Sequence, residues 1–272
     1  MKLPNKTYNK DRFPYLDDNN VGKVIPILYG KCAALELIPV NENDNPESAS
    51  TDAVYGLPEG MSNIGTAYVQ VDNVWKAALN PVVDYTAGTL TIENGRDDGG
   101  STRNVKLVDC YGYMFSGHCY PRDVLEHLFT VQLGVSLTAS NFDLVEWAAE
   151  LDAVQCELGI LLNDAAEFWE VVYKISTGCV KSFRVEYNAA GKITARVKDF
   201  DRASSATISS ADIYDSDVLR VSTDRSGVYS SVVCKYYKNH IANTFLSVEN
   251  TTYLDEVKQT YRKDAVYELE TY

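Results

Sequence analysis

Tyr120-Pro121-Arg122-Asp123-Val124-Leu125-Glu126-His127-Leu128-Phe129 opens the one long run with helical punctuation in a chain whose flanks alternate like strands. Pro121 stands where a first helical turn tolerates a missing N–H, and Val124, Leu125, Leu128 and Phe129 share one face. Gly134 predicts the end of this helix. Ser140, with Asp143 three residues on, forms an imperfect capping box before a second apolar stripe: Phe142, Leu144, Val145, Ala148 and Leu151. Asp164 and Glu167 repeat the capping spacing for a third helix carrying Phe168, Trp169, Val171, Val172 and Ile175, which Gly178 ends. Between the second and third helices, the apolar run from Glu157 to Leu162 is too short for a helix and predicts a buried strand or turn.

Outward from this island the period changes to two. Upstream, the run from Val21 to Gly30 is apolar and bounded by glycines. Pro26 cannot donate to a ladder, so the run predicts an edge strand, or one paired on a single side. Leu35 to Val40 stays extended, and Asn41 to Thr51 is a polar, acidic loop. That loop lacks the residue order of a calcium site, so it is read as solvated loop. Further strands are predicted at Thr66–Val71, Val82–Tyr85, Thr89–Ile92 and Val105–Asp109, with turns at Asn80-Pro81, Ala87-Gly88 and Asp97-Asp98-Gly99-Gly100. Short strands with frequent turns imply a barrel or sandwich.

Downstream, Cys179, Lys181, Phe183, Val185 and Tyr187 are placed on one face of a strand, and Asn188-Ala189-Ala190-Gly191 turns it. Ile193, Ala195 and Val197 form the inward face of its partner, leaving Arg184, Lys192, Arg196 and Lys198 outward. Glu186, Asp199 and Asp201 dilute that basic face, so it reads as a solvated or subunit-contact face rather than a phosphate site. Asp217 to Arg225 leads to a strand over Tyr229–Tyr237, and a last extended region runs from Tyr261 to Tyr272.

The fold class expected is therefore α+β: a β-barrel-like N-terminal domain over 1–112, a helical insertion over 113–178, and a C-terminal antiparallel β region over 179–272 packed with the helices. Its 272 residues, 45% hydrophobic, suffice for a sizeable core. A formal charge of −13, from 38 acidic and 25 basic residues, disfavours gripping nucleic acid or anionic membrane by net charge. No stretch is apolar for the length of a membrane span, and Met1-Lys2-Leu3-Pro4 does not begin a secretory signal. Six widely spaced cysteines form no Cys-x-x-Cys pair and read as free, mostly buried thiols in a reducing compartment.

Chemistry-bearing residues are few. His118-Cys119 invites a Cys–His nucleophile, yet sequence neighbours seldom face one another and no nucleophile-elbow motif accompanies them. Cys110, His118 and Cys119 have no usual zinc spacing and lack an evident fourth ligand. His127 beside the first helix reads as a satisfied, partly buried histidine, and His240 is the remaining candidate base. Neither a dinucleotide nor a P-loop glycine pattern occurs. No catalytic, cofactor or metal residue is assigned. Nineteen tyrosines, mostly in strand-like segments, suit wide subunit contacts as well as half-buried sheet.

Three stretches, in order, resemble tail hub or tail-tip baseplate hub proteins of tailed bacteriophages. Val21-Gly22-Lys23-Val24-Ile25-Pro26-Ile27-Leu28-Tyr29-Gly30 is similar to a "VGK-x-IPI-x-YG" run near the start of such proteins. Tyr120 to Leu128 resembles their "NP-x-D-V-I/L-x-x-L" helix. Asp217-Val218-Leu219-Arg220-Val221-Ser222, followed by Ser231-Val232-Val233-Cys234-Lys235-Tyr236, resembles their "D-I-L-x-V-S … N-x-V-x-V-x-Y" strand pair.

The resemblance implies a non-enzymatic virion protein: a homotrimer of tube-like β domains that closes the distal end of the tail tube. Its partners would be the tube or distal tail protein, tip, spike or fibre proteins, and DNA passing without specific binding, with no membrane insertion. Its location would be the virion tail tip, after assembly in the host cytoplasm. A hexameric distal tail or adaptor protein is the nearest alternative, and a tail-associated cell-wall or peptide hydrolase using His118 or Cys119 the alternative of another class. On the structural reading, function belongs at the rims of the sheets, with the helical island holding them.

Overall fold

The computed structural model describes residues 2–41, 52–93, 95–96, 101–179, 181–198, 231–251 and 266–270. The loop expected after Asn41, the Asp97–Gly100 turn, the Asp217–Arg225 segment and most of the run after Tyr261 lie outside these residues.

After a two-residue strand, β1 (Lys2–Leu3), the chain reaches β2 (Ile27–Pro39), a thirteen-residue strand around which the rest is laid. The N-terminal half adds β3 (Ala53–Gly56), β4 (Thr66–Val71), β5 (Val74–Ala77), β6 (Leu79–Asp84), β7 (Thr89–Glu93) and β8 (Val105–Tyr111). These pair antiparallel in the order β5-β4-β8-β2-β3-β7-β6 and make a nearly closed barrel. Leu28, Leu35, Leu37, Tyr55, Leu90, Ile92, Val105 and Leu107 fill it. Alternation is clean where a strand has one wet face: Leu90 and Ile92 are fully buried, while Thr89 and Thr91, which alternate with them, are half-buried.

The seam of the barrel is one stretch of chain. β5 pairs with β4, and after Ala78 the same run continues as β6 and pairs with β7. β6 begins at Leu79, earlier than expected, and Pro81 lies inside it rather than in a turn. The ladder shifts register between Leu79 and Val82, and that irregularity accommodates a residue without an N–H.

The Val21–Gly30 run also departs from expectation, for it is no edge. β2 starts after Pro26, whose carbonyl accepts the Glu59 N–H at 2.7 Å. On one side Ile27–Gly30 pairs with β9 (Gly159–Leu162). On the other, Leu28 donates to the Glu59 carbonyl at 3.0 Å and Gly30 to that of Tyr113 at 3.0 Å. The proline's missing donor therefore falls outside the ladder. Lys31–Leu37 then pairs with β8, and Ile38 and Pro39 with β3. Gly30 has φ +66°, and a Cβ there would overlap the Leu158 carbonyl oxygen, so this crossing of strands requires glycine.

The helical island is α1 (Pro121–His127), a π turn over Leu128–Gln132, α2 (Leu144–Asp152) and α3 (Phe168–Gly178). Two starts differ from the sequence reading. Asp143, not Ser140, caps α2, its carboxylate accepting the Glu146 N–H at 3.3 Å. α3 begins at Phe168 after an extended Glu167, because Ala166 and Glu167 form β10, paired with β1. Phe129, on the π turn, sets its ring edge-on to Phe168, Phe142 and Trp147 at centroid distances of 5.0, 5.2 and 5.9 Å.

β11 (Phe183–Tyr187) and β12 (Ile193–Val197) form the expected hairpin. Lys181 precedes the strand, and Tyr187 is 66% exposed rather than inward. Ile193 exchanges backbone hydrogen bonds with the chain at Asn141 and Asp143, and Glu150 of α2 accepts the Val197 N–H at 2.9 Å. The free edge of β12 is covered by the start and flank of α2. Finally β13 (Ser231–Asn239) pairs antiparallel with β14 (Thr244–Asn250) and parallel with β15 (Val266–Glu270), and meets β2 through Asn239 and Ala34.

Candidate functional site

The residues singled out for chemistry are held apart. Cys119 is fully buried, and the His118 ring is not placed to take its thiol proton; burial first, and then the charges of Glu157 and Asp123, push the thiol up to about 12. His118 is exposed and pairs instead with Glu157, Nδ1 to Oε1 at 2.6 Å. Neighbours in an extended segment point to opposite sides, so the two do not form a nucleophile and base. Cys110 lies on β8 opposite Cys32. Among the described residues, no three His, Cys, Asp or Glu side chains are arranged to hold a metal ion.

The two arginines on the basic face of the β11–β12 hairpin are paired with carboxylates. Arg196 contacts Glu146 at 3.3 Å and Glu186 at 3.1 Å, and Arg184 contacts Glu186 at 2.7 Å. Lys192 is half-buried and Lys198 exposed. Such partly exposed pairs tie the hairpin to α2 through Glu146 and occupy both guanidinium groups.

His127 belongs to a polar junction between β2 and α1. The Tyr29 hydroxyl is 2.9 Å from Nδ1 of His127, and the Tyr113 ring packs 4.3 Å from the imidazole. Beside them Glu59 accepts from Gln132 Nε2 at 3.1 Å and from the Tyr113 hydroxyl at 3.3 Å. Lys6 lies 2.9 Å from the other Glu59 oxygen, an ion pair that meets the distance but not the direction of a hydrogen bond. Burial lowers the His127 pKa, with Glu59 opposing and Lys6 reinforcing the shift. Burial, and then the Glu59 charge, push Tyr113 up to about 12. This junction ties five segments of the chain together, around Lys6, Tyr29, Glu59, Tyr113 and the His127–Gln132 turn.

His240 lies where β13 meets the barrel, donating its backbone N–H to the Ala34 carbonyl at 3.1 Å. It borders two adjoining clefts of about 530 and 330 Å³, which share Leu161, Asn163 and Asp164. Their walls come from β2, β9, α3 and the β13–β14 turn. Burial, aided by Lys238, lowers His240 to about 4. The imidazole is thus neutral near pH 7, and among the described residues no carboxylate is placed to make a base of it.

What the surface offers instead is apolar area at strand rims. Leu79 and Val82 on the barrel seam are 59% and 63% exposed, with Val74 and Tyr85 beside them in sequence and similarly open. A second group, Tyr236, Leu246 and Val248, is exposed on the β13–β14 hairpin. Sequence reasoning placed function at rims but not on these residues. Its signal for the seam was blunted by Asn80-Pro81, which reads locally as a turn. No protein-family model matches the chain, and no curated protein sequence matches it.

Proposed function

We propose that this chain is a structural subunit of a tailed-phage tail tip, a hub that closes the distal end of the tail tube by forming a ring of copies, a homotrimer in the simplest form. The observation that carries the reading is the convergence on β2 of stretches that resemble hub proteins. Ile27–Gly30 of the first stretch packs on α1 of the second through Tyr29 and His127, and β13 of the third reaches the same strand at Ala34.

The exposed seam supports assembly. A strand that shows Leu79 and Val82 to water is a liability in an isolated subunit, and another surface covering it would gain about 1.5–3 kcal/mol per fully buried side chain. In the ring, tube-like β domains would surround a lumen. The formal charge of −13 suits passage of DNA without adhesion, since DNA itself carries about one charge per 1.7 Å of axis. Tube or distal tail protein on one side, and tip, spike or fibre proteins on the other, are its proposed partners.

Light scattering after gel filtration tests the assembly. The expected mass is three times the 30.3 kDa subunit, or a larger closed ring. A strict monomer at high protein concentration would overturn the reading.

A further inference from the structure

The sheet is interrupted beside β2, and the interruption opens into the paired clefts that His240 borders. On that side Ala34 accepts the His240 N–H at 3.1 Å, and Val40 donates to the Val54 carbonyl at 2.8 Å. Backbone groups alternate sides along a strand, so Glu36 and Ile38 turn their N–H and C=O the same way. Ile38 is paired with Gly56. Two residues further along that ladder Pro58 falls opposite Glu36, but Pro58 has no N–H and its carbonyl accepts from Met61 at 3.3 Å. Glu36 thus keeps a donor and an acceptor toward the cleft that β3 does not use.

β9 supplies a second such pair. Leu28 donates to Glu59, away from β9, so Leu28 and Leu161 are opposed without exchanging hydrogen bonds. The N–H and C=O of Leu161 therefore point away from β2. Among the described residues β2 is the one strand paired with β9, and Leu161 lines both clefts. Ile38, Leu162 and Ala166 are half-buried and give the walls apolar surface. In the smaller cleft Lys174 of α3 and Lys238 of β13 stand against Asp164; Lys174 also reaches Glu170 at 3.0 Å, on its own helix.

We propose that these clefts receive an extended peptide segment of a partner protein, which adds as a strand by hydrogen bonding to Leu161 and Glu36 and sets an acidic side chain beside Lys174 and Lys238. The chemistry selects the occupant. An N–H and a C=O side by side on a strand edge are answered by another polypeptide backbone, and the apolar walls take its alternate side chains. Glu36 and Asp164 on the same walls repel a polyanion such as a nucleic acid, whereas one carboxylate between two lysines is complementary. Clefts of about 530 and 330 Å³ are of ligand size, enough for a short segment rather than a folded domain.

The full chain is titrated into fluorescein-labelled Asp-Asp-Val-Thr-Val-Thr, and anisotropy reports binding. Two further probes carry the same sequence, one N-methylated at both valines and the other at both threonines. Alternate amides of an added strand face its neighbour, so at least one methylated probe should bind roughly tenfold more weakly than the parent. Equal binding of all three would overturn the proposal, as would no binding of the parent at millimolar peptide. Hydrogen exchange with the parent bound should slow at the segments containing Leu161 and Glu36; slowing confined to other strands would overturn it too. Lys174→Glu with Lys238→Glu should weaken the parent by roughly tenfold, and a Lys-Lys-Val-Thr-Val-Thr probe should bind wild type less tightly than the parent. Indifference to both charge changes would remove the acidic side chain from the site. The readout is peptide binding rather than subunit mass, so this proposal and the ring can fail separately.

Discussion

The hydroxyl of Tyr29 and Nδ1 of His127, 98 residues apart in sequence, are 2.9 Å apart in the fold. With the imidazole neutral, Tyr29 donates and Nδ1 accepts, so the proton of the ring sits on Nε2. Tyr29→Phe keeps the ring and removes the donor. Urea unfolding should show a loss of about 1–2 kcal/mol, the cost of one hydrogen bond with its acceptor left half-buried. An unchanged midpoint would mean that water replaces the hydroxyl at no cost.

Acid should weaken the fold through its histidines. His240 has a folded pKa of about 4 against 6.5 when free, owing first to burial and then to Lys238. A lowered histidine pKa means that the unfolded chain binds the proton more tightly. The stability it confers is complete above 6.5 and declines as pH falls from 6.5 toward 4. His127 moves in the same direction, through burial and Lys6 against the opposing Glu59. Discounted for its partial exposure, the His240 share is about 1–2 kcal/mol. Unfolding titrations of wild type and His240→Gln should converge in slope above 6.5 and separate below it, with the variant less sensitive to acid.

Asp143 both caps α2 and accepts from Asn188 Nδ2 at 3.1 Å, so it fixes the helix start to the β11–β12 turn. Asp143→Ala should cost about 1–2 kcal/mol, whereas Ser140→Ala should cost less than half of that. Thermal melts of the two variants give the comparison. Equal effects would restore Ser140 as the cap.

The starts of α2 and α3 show where sequence reading stopped. Pro121, Gly178 and the apolar stripes are local signals, and they located three helices. Ser140 and Asp164 have the right chemistry at plausible spacing, but the choice of cap was made by partners elsewhere: β12 engages Asn141 and Asp143, and β1 draws Ala166 and Glu167 into a strand. Pro26 was read correctly as a missing donor, yet its consequence fell outside the ladder because Glu59 and Tyr113 complete the second side of β2. β5 went unseen since its turn, Asp72-Asn73, adopts positive φ without a glycine to announce it. The junction of Tyr29, Glu59, Tyr113 and His127 has no linear signature at all, because its members come from separate elements.

Leu79→Lys combined with Val82→Lys should separate assembly from folding. Both side chains are exposed in the subunit, so its own stability should change by no more than about 0.5 kcal/mol each. If the seam is covered in the ring, scattering should report subunits in place of the oligomer. An oligomer of unchanged mass would move the interface to another rim, with the hairpin bearing Leu246 and Val248 next to be altered.

β2 sends Ile27 and Tyr29 into the helical core, and Leu28, Cys32 and Leu35 into the barrel. A strand whose alternate residues serve two interiors cannot release one while keeping the other, so openings that expose its backbone must be nearly global. Its amide protons should therefore be the slowest in the molecule to exchange with solvent. The helices and the barrel, though filled by separate sets of side chains, should lose their structure in a single cooperative transition.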